Sequence, residues 1–391
     1  MIASPSTSSS RSTSTAPRRL RLGIIGTGLA VEKLHWPALS RQADRFEVVA
    51  FAEQRRESAE CFAAYSGVAL DRWHAGYQDL LRRDDVEAVL IALPIPHLLE
   101  AAQASLAAGK HVLCEKPPGA DLDQGRAFLA LPERYPDRVL LIAENFFYRD
   151  DLRLARSMLD AGAIGRLHAV TLRVVAQNVP REGAFSSTPW RQQPQYRGGP
   201  QLDAGVHFIA QLRLLAGDVE RAHAGVQEAN PLMDGPSHLV ATLQLVNGAI
   251  GSYISIHAPT PVPRGEQGMT LYGSEGVLSL GRRSVRRLRR DGSTEEQVVE
   301  GSDGGYYNEW RNFYEAIVHD EPVVGTVAQS FHNLLLVMRL LDSAERGEVV
   351  RIEGAPGGLA APGVPLWRPR GAAGLFDGLP VQVRAAAEAG Q

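Results

Sequence analysis

The chain has 391 residues, more than one hydrophobic core usually organises, so two domains are expected. Hydrophobic residues make up 44% and charged residues 22%, and the net charge of −3 gives no general attraction to nucleic acid or anionic membranes. The two cysteines, Cys61 and Cys114, form no CxxC pair, which argues against a disulfide framework or a structural zinc site and fits a reducing cytoplasm.

Residues 1–18 are rich in Ser, Thr and Pro and too polar to offset chain ordering, so they are expected to form a disordered tail. Arg18-Arg19 is followed by the glycine turn rather than by the apolar stretch of an export signal, and no segment is long and apolar enough to span a bilayer. Short apolar runs then follow at Leu22–Ile25, Phe46–Ala52, Ala88–Leu93, His111–Cys114 and Val139–Ala143. Helical stretches separate them, among them Leu98–Ala108, closed by Gly109. Strands alternating with helices predict βαβ units and a parallel sheet over residues 19–145.

From about Asp150 the pattern changes. Asp151–Asp160 reads as a helix, with Ala161–Gly165 as its exit. Strand character follows at Leu167–Ala176, Leu239–Val246, Ala249–His257, Met269–Tyr272 and Val277–Leu280, with turn residues at Asn247-Gly248 and Gly273–Gly276. Strands joined by tight turns predict a mostly antiparallel sheet. Two helices, Asn308–His319 and Val327–Arg346, complete an α+β domain over residues 146–353. Residues 354–391, rich in Gly, Pro and Ala, are expected to wrap the surface or stay partly mobile. The basic run Arg282–Arg290 reads as a solvated hairpin strand rather than an anion site.

Gly26-Thr27-Gly28-Leu29-Ala30-Val31 lies between a strand and a helix. The first glycine permits a tight turn, the second lets backbone approach a pyrophosphate, and the helix N-terminus presents free N–H groups. Val31 occupies the third position, where a small residue is usual. Glu53, just past the second strand, suits the adenosine ribose hydroxyls, and Arg55 and Arg56 follow it. A carboxylate there repels a 2′-phosphate, so NAD(H) is favoured, with NADP(H) as the alternative.

Further motifs carry a family resemblance. They are Ala92–His97, Ala108-Gly109-Lys110-His111-Val112-Leu113-Cys114-Glu115-Lys116-Pro117, Ala143-Glu144-Asn145, Gly162–Arg166, Trp190-Arg191, Gly198-Gly199 and Leu202–His207. From about Leu20 to Arg351 the chain resembles the Gfo/Idh/MocA oxidoreductases, named after glucose–fructose oxidoreductase and inositol dehydrogenase. The resemblance implies an NAD(P)-dependent dehydrogenase or reductase acting on a hydroxyl or carbonyl of a sugar, cyclitol or related small molecule. It also implies an N-terminal Rossmann domain over residues 19–145, a C-terminal domain built on an open, mostly antiparallel sheet, and a homo-oligomer, a dimer or tetramer. Lys116 matches the lysine beside the nicotinamide, and Asp203 and His207 match the acid and histidine of a substrate-domain helix. Leu93, Pro94, His97 and Glu115 match positions bordering the cofactor, and Asn145 one near the domain junction. Phe147 and Asp150 depart from the residues common in relatives, on the substrate side.

Asp203 and His207 are four residues apart, so on one helix they share a face, and a carboxylate beside an imidazole tunes it as a base. Lys116 would donate to the substrate oxygen. Taken singly, these residues also read as a surface lysine, a core histidine and a helix cap. His35, His111, His168, His223, His257 and His332 show no site-like spacing, and no clustered metal ligands are evident. Tyr148, Arg149, Trp190 and Arg191 are candidate substrate contacts. Two other readings of the same fold are an NAD-dependent glycosidase and a non-catalytic dinucleotide sensor.

Overall fold

A computed structural model describes residues 18–263, 267–281, 283–358, 363–376 and 380–385. The expected tail over residues 1–18 therefore lies, apart from Arg18, outside the described residues.

The first region forms a parallel sheet from β1 (Leu20–Ile25), β2 (Phe46–Ala52), β3 (Trp73–His74), β4 (Ala88–Ile91), β5 (His111–Glu115) and β6 (Leu140–Ala143). Its order is β3-β2-β1-β4-β5-β6. The chain reverses its winding between β1 and β4, which leaves a crevice at their C-terminal ends. The strands are almost wholly buried because helices cover both faces, which is why they read as continuous apolar runs rather than alternating ones. The third run ends at Ile91 rather than Leu93, and Leu93-Pro94 bend away toward helix α1 (Leu98–Ala107).

The second region holds α2 (Asp150–Asp160), the short α3 (Pro200–Asp203), α4 (Gly205–Ala216), α5 (Tyr306–His319) and α6 (Val327–Arg346). Its strands are β7 (Leu167–Gln177), β8 (Val219–Gln227), β9 (His238–Leu245), β10 (Ile250–Ala258), β11 (Gly268–Gly273), β12 (Gly276–Leu280), β13 (Ser284–Arg289), β14 (Thr294–Val299), β15 (Val350–Arg351) and β16 (Val381–Ala385). They form one ten-stranded sheet, antiparallel except for the β7–β10 pair. One face packs on the helices through Val170, Leu172, Leu243, Tyr253 and Leu271. The other leaves Val240, Ile250, Tyr272 and Leu288 exposed.

The C-terminal segment, of which residues 359–362, 377–379 and 386–391 lie outside the described residues, is otherwise mostly exposed but anchored at a few buried positions. Val364 and Trp367 are buried in the main core, and β16 adds to the sheet beside β14. Arg153 holds this segment by donating to the carbonyls of Trp367 and Leu375, with its charge balanced by Asp150 at 2.8 Å. The departure noted at Asp150 thus belongs to a buried ion pair. Of the basic run, Arg282 lies outside the described residues and Ser284–Arg289 form β13, whose Arg286 and Arg287 stand opposite Glu296 and Glu295 of β14, as a solvated hairpin does.

Candidate active site

A cleft of about 800 Å³ opens at the C-terminal ends of β1 and β4 and extends to the second region. Gly26 sits at φ +85°, and a Cβ there would lie 2.5 Å from the Ala92 carbonyl oxygen, so only glycine lets the two loops cross. A Cβ on Gly28 would meet nothing within 4 Å, which leaves its backbone bare toward the cleft. Leu29 and Ala30 continue that wall. Val31 is fully buried and begins a five-residue π turn, Val31–His35, so the unusual third position coincides with a widened helix.

The Glu53 carboxylate accepts from Thr27 N at 3.2 Å, Thr27 Oγ1 at 3.1 Å and Arg55 N at 3.2 Å. Glu53 and Arg55 line the cleft, whereas Thr27 is buried and acts by tying the turn to Glu53. Each carboxylate oxygen keeps further lone-pair capacity for a ribose hydroxyl. Leu93, Pro94, His97 and Glu115 line the same cleft. A bare glycine turn at a helix start, with an acid at the end of the second strand, fits a dinucleotide.

Beyond the turn, charged side chains converge. Lys116 Nζ donates to the Asp203 carbonyl at 2.6 Å and to Asp203 Oδ1 at 3.1 Å. Arg191 Nε donates to Asp203 Oδ2 at 2.7 Å. Burial pushes the Asp203 carboxyl up, but the two cations outweigh it and hold the group well below the usual carboxylate range. Asp203 is thus a fixed anion that positions Lys116 and Arg191. Arg191 also lies 3.9 Å from the Trp190 ring centre, and both line the cleft.

The expected Asp203–His207 partnership does not form. The helix breaks at Ala204, between α3 and α4, and Asp203 turns to the two cations. His207 instead places Nδ1 2.6 Å from Glu144 Oε1, with the Phe146 ring stacked on it at 4.8 Å. Glu144 is 1% exposed and also accepts from Phe146 N at 3.3 Å. A carboxylate only accepts, so Nδ1 carries the hydrogen and Nε2 is left for the cleft that His207 lines. A second such pair stands behind Lys116, where His35 Nε2 lies 2.9 Å from Glu115 Oε1. Burial pushes Glu115 up, but the His35 hydrogen bond and the Lys116 charge bring it net below its ordinary value.

Three expected site residues sit elsewhere. Asn145 is buried and donates to the Gly304 carbonyl at 2.7 Å instead of lining the cleft. Tyr148 is fully buried, its hydroxyl donating to Asn312 Oδ1 at 2.8 Å and accepting from Gly325 N at 2.9 Å. Arg149 pairs with Asp151 and covers the Phe146 ring at 4.5 Å, so it reaches His207 only through that ring. Neighbouring Phe147, the other noted departure, is also core. Glu144, His35 and Tyr306 were missed: Glu144 had its signal in standing one residue before Asn145 at a strand end, whereas His35 and Tyr306 had none. Among the described residues no group of three or more His, Cys, Asp or Glu side chains is placed to hold a metal ion.

Comparison with known proteins agrees with this geometry. Residues 20–142 match the model of the Gfo/Idh/MocA oxidoreductase family's NAD-binding Rossmann fold, and residues 156–352 match its C-terminal alpha/beta domain. The chain is 30% identical over 305 residues to a dTDP-3,4-didehydro-2,6-dideoxy-alpha-D-glucose 3-reductase of Streptomyces violaceoruber, covering 73% of this chain and 82% of that protein. An oxidoreductase of Thermotoga maritima superposes with a TM-score of 0.78 at 28% identity, covering 86% of this chain and 99% of that one. A levoglucosan dehydrogenase in complex with NADH and levoglucosan shares the fold, with a TM-score of 0.74 at 20% identity over 86% of this chain and all 100% of that one. With both domain models matched and a nucleotide cleft between the strand ends, the chain belongs to the Gfo/Idh/MocA family of NAD-binding oxidoreductases.

Proposed function

We propose that this protein interconverts a hydroxyl and a carbonyl group on a sugar, cyclitol or related small molecule, using NAD(H). The observation that carries the reading is the convergence of Lys116 and His207, each paired with its own carboxylate, on one cleft with the glycine turn. When bound, the nicotinamide supplies the hydride acceptor or donor.

The chain's own groups handle the proton. His207 Nε2 takes the hydroxyl proton during oxidation and returns it during reduction, and Glu144 stabilises the imidazolium so formed. Lys116 has three N–H bonds, of which two are engaged by Asp203; the third is free to donate to the substrate oxygen. Asp203 and Arg191 hold that ammonium in place. Gly26, Gly28, Leu29 and Ala30 would hold the diphosphate and Glu53 the ribose, which favours NAD(H) over NADP(H). Arg55 is the residue through which NADP(H) would be accommodated.

A side chamber of about 240 Å³ adjoins Asp203 and is lined by Arg191, Tyr196, Met233 and His257. Its mixed polar and aromatic walls suit a hydroxyl-bearing ring, in keeping with the sugar substrates named for the Streptomyces reductase and the levoglucosan dehydrogenase. The exposed apolar face of the ten-stranded sheet supports a homo-oligomer, and two unpaired cysteines are in keeping with a cytoplasmic setting.

The test is a panel of polyols, sugars and their keto forms, followed by NADH and NADPH absorbance. Net cofactor turnover with at least one member is expected, faster with NADH. Glycoside cleavage without net turnover would favour the glycosidase reading, and nucleotide binding without either reaction would favour the sensor.

A further inference from the structure

Helix α5 brings a buried acid to the back of the site. Tyr306, Glu309 and Trp310 are three and four residues apart and so share a face. His35 packs against that face, its ring centre 5.4 Å from Tyr306 and 5.9 Å from Trp310. Glu309 is 0% exposed, and neither of its carboxyl oxygens has a hydrogen-bond partner. His35 Nδ1, Asn145 Oδ1 and Trp310 Nε1 are buried without partners as well.

Buried carboxyl and imidazole atoms without partners are rare, and those of Glu309 and His35 belong to the contact between the π turn and α5, where internal water would satisfy both. The charged neighbours of Glu309 are also the wrong sign for an ionised carboxylate. Glu115 faces it from β5, Glu144 from the end of β6 and Asp303 from the loop before α5, while Arg41 is spent on Asp303. The other titratable neighbours are His35 from the π turn and Tyr306 from its own helix, and His207 lies beyond Glu144. Burial and the three acids push the Glu309 carboxyl well above its ordinary value.

We propose that Glu309 is an un-ionised positioning acid that donates, through buried water, to His35 Nδ1 and so fixes the His35–Glu115 pair behind Lys116. Glu115 accepts from His35 Nε2, so the neutral ring presents a bare lone pair at Nδ1, and the acid O–H supplies the missing donor. On its other oxygen Glu115 accepts from Lys116 N at 3.1 Å, which carries the chain from α5 to the backbone of the reacting lysine. No bond to substrate is involved: Glu309 acts through His35 and Glu115.

The inference rests on the proposed oxidoreductase reading only for its kinetic consequence, so the first two tests need no turnover. Infrared spectra of the full chain at neutral pH should contain the carbonyl band of an un-ionised carboxylic acid, lost in Glu309→Gln. Nitrogen NMR should find His35 as the Nε2–H tautomer in wild type and a displaced His35 Nδ1 resonance in Glu309→Leu. If that variant does not fold, the His35 tautomer and the infrared pair still decide. With a substrate in hand, kcat should fall about tenfold in Glu309→Leu, as outer-shell partners typically cost, with NADH affinity kept and activity largely rescued in Glu309→Gln. Absence of the acid band, its persistence in Glu309→Gln, or an unchanged His35 resonance in Glu309→Leu would overturn the proposal, whether or not any substrate turns over.

Discussion

On the Rossmann side, the cleft is made of backbone turns at strand ends: the glycine turn after β1, Glu53 after β2 and Leu93-Pro94 after β4. Beside it, the reactive wall is made of side chains from both regions, pinned to one another by long-range charge pairing. Lys116 reaches Asp203 across 87 residues of sequence, and His207 reaches Glu144 across 63. A wall of turns binds whatever presents phosphates and a ribose. A wall of paired charges sets proton affinity, and its members fail together when one is removed. Binding and chemistry should therefore separate under mutation.

The largest effect expected on the reactive wall, apart from loss of the lysine itself, is that of Glu144→Gln. Without the carboxylate the imidazolium of His207 loses its counter-charge, and kcat should fall roughly 10²-fold. Steady-state kinetics and an NADH titration check both halves, because nucleotide affinity should stay close to wild type. Lost affinity with normal kcat would erase the distinction between the two walls.

A smaller effect concerns stability alone. Burial pushes His257 down from 6.5 to about 4, with Asp203 opposing and His238 reinforcing the shift. Because the folded value lies below the unfolded one, the unfolded chain takes up the proton first as pH falls. Stability is therefore full above about pH 6.5 and is lost toward about pH 4, by up to about 1.4 kcal/mol per pH unit. His111 and His332, also at about 4, add to the same slope. His257→Asn should flatten that slope by one histidine's share in denaturant melts across this range. An unchanged slope would mean that His257 titrates alike in both states.

The same contrast explains what could be read from the sequence. The turn-built wall was legible because its determinants are local: Gly26 and Gly28 beside a strand, Glu53 at the end of another, and Glu115-Lys116-Pro117 at a third. The parallel first sheet and the mostly antiparallel second sheet followed from apolar runs and turn residues. Of the paired wall, Lys116, Asp203, His207 and Arg191 were named through the family resemblance, but their pairing was not legible, because pairing across the fold leaves no local pattern. Helical spacing put Asp203 beside His207, and a break at Ala204 undid it. Tyr148 has a ligand-like side chain, yet its hydroxyl completes a core network with Asn312 and Gly325. Likewise, the Gly- and Pro-rich C-terminal segment concealed a buried Trp367 and an added strand, because two anchors suffice to hold an irregular chain.

The separation of the two walls meets its most direct test at Lys116, which lies in the cleft with the glycine turn yet is tied to Asp203 on the other side. In one preparation of Lys116→Ala, NADH affinity and turnover on the best panel substrate should be measured side by side. The expected result is an NADH Kd within about threefold of wild type, less than 1 kcal/mol, with turnover down by at least about 10²-fold. Wild-type turnover, or turnover lost only in proportion to NADH binding, would contradict the account.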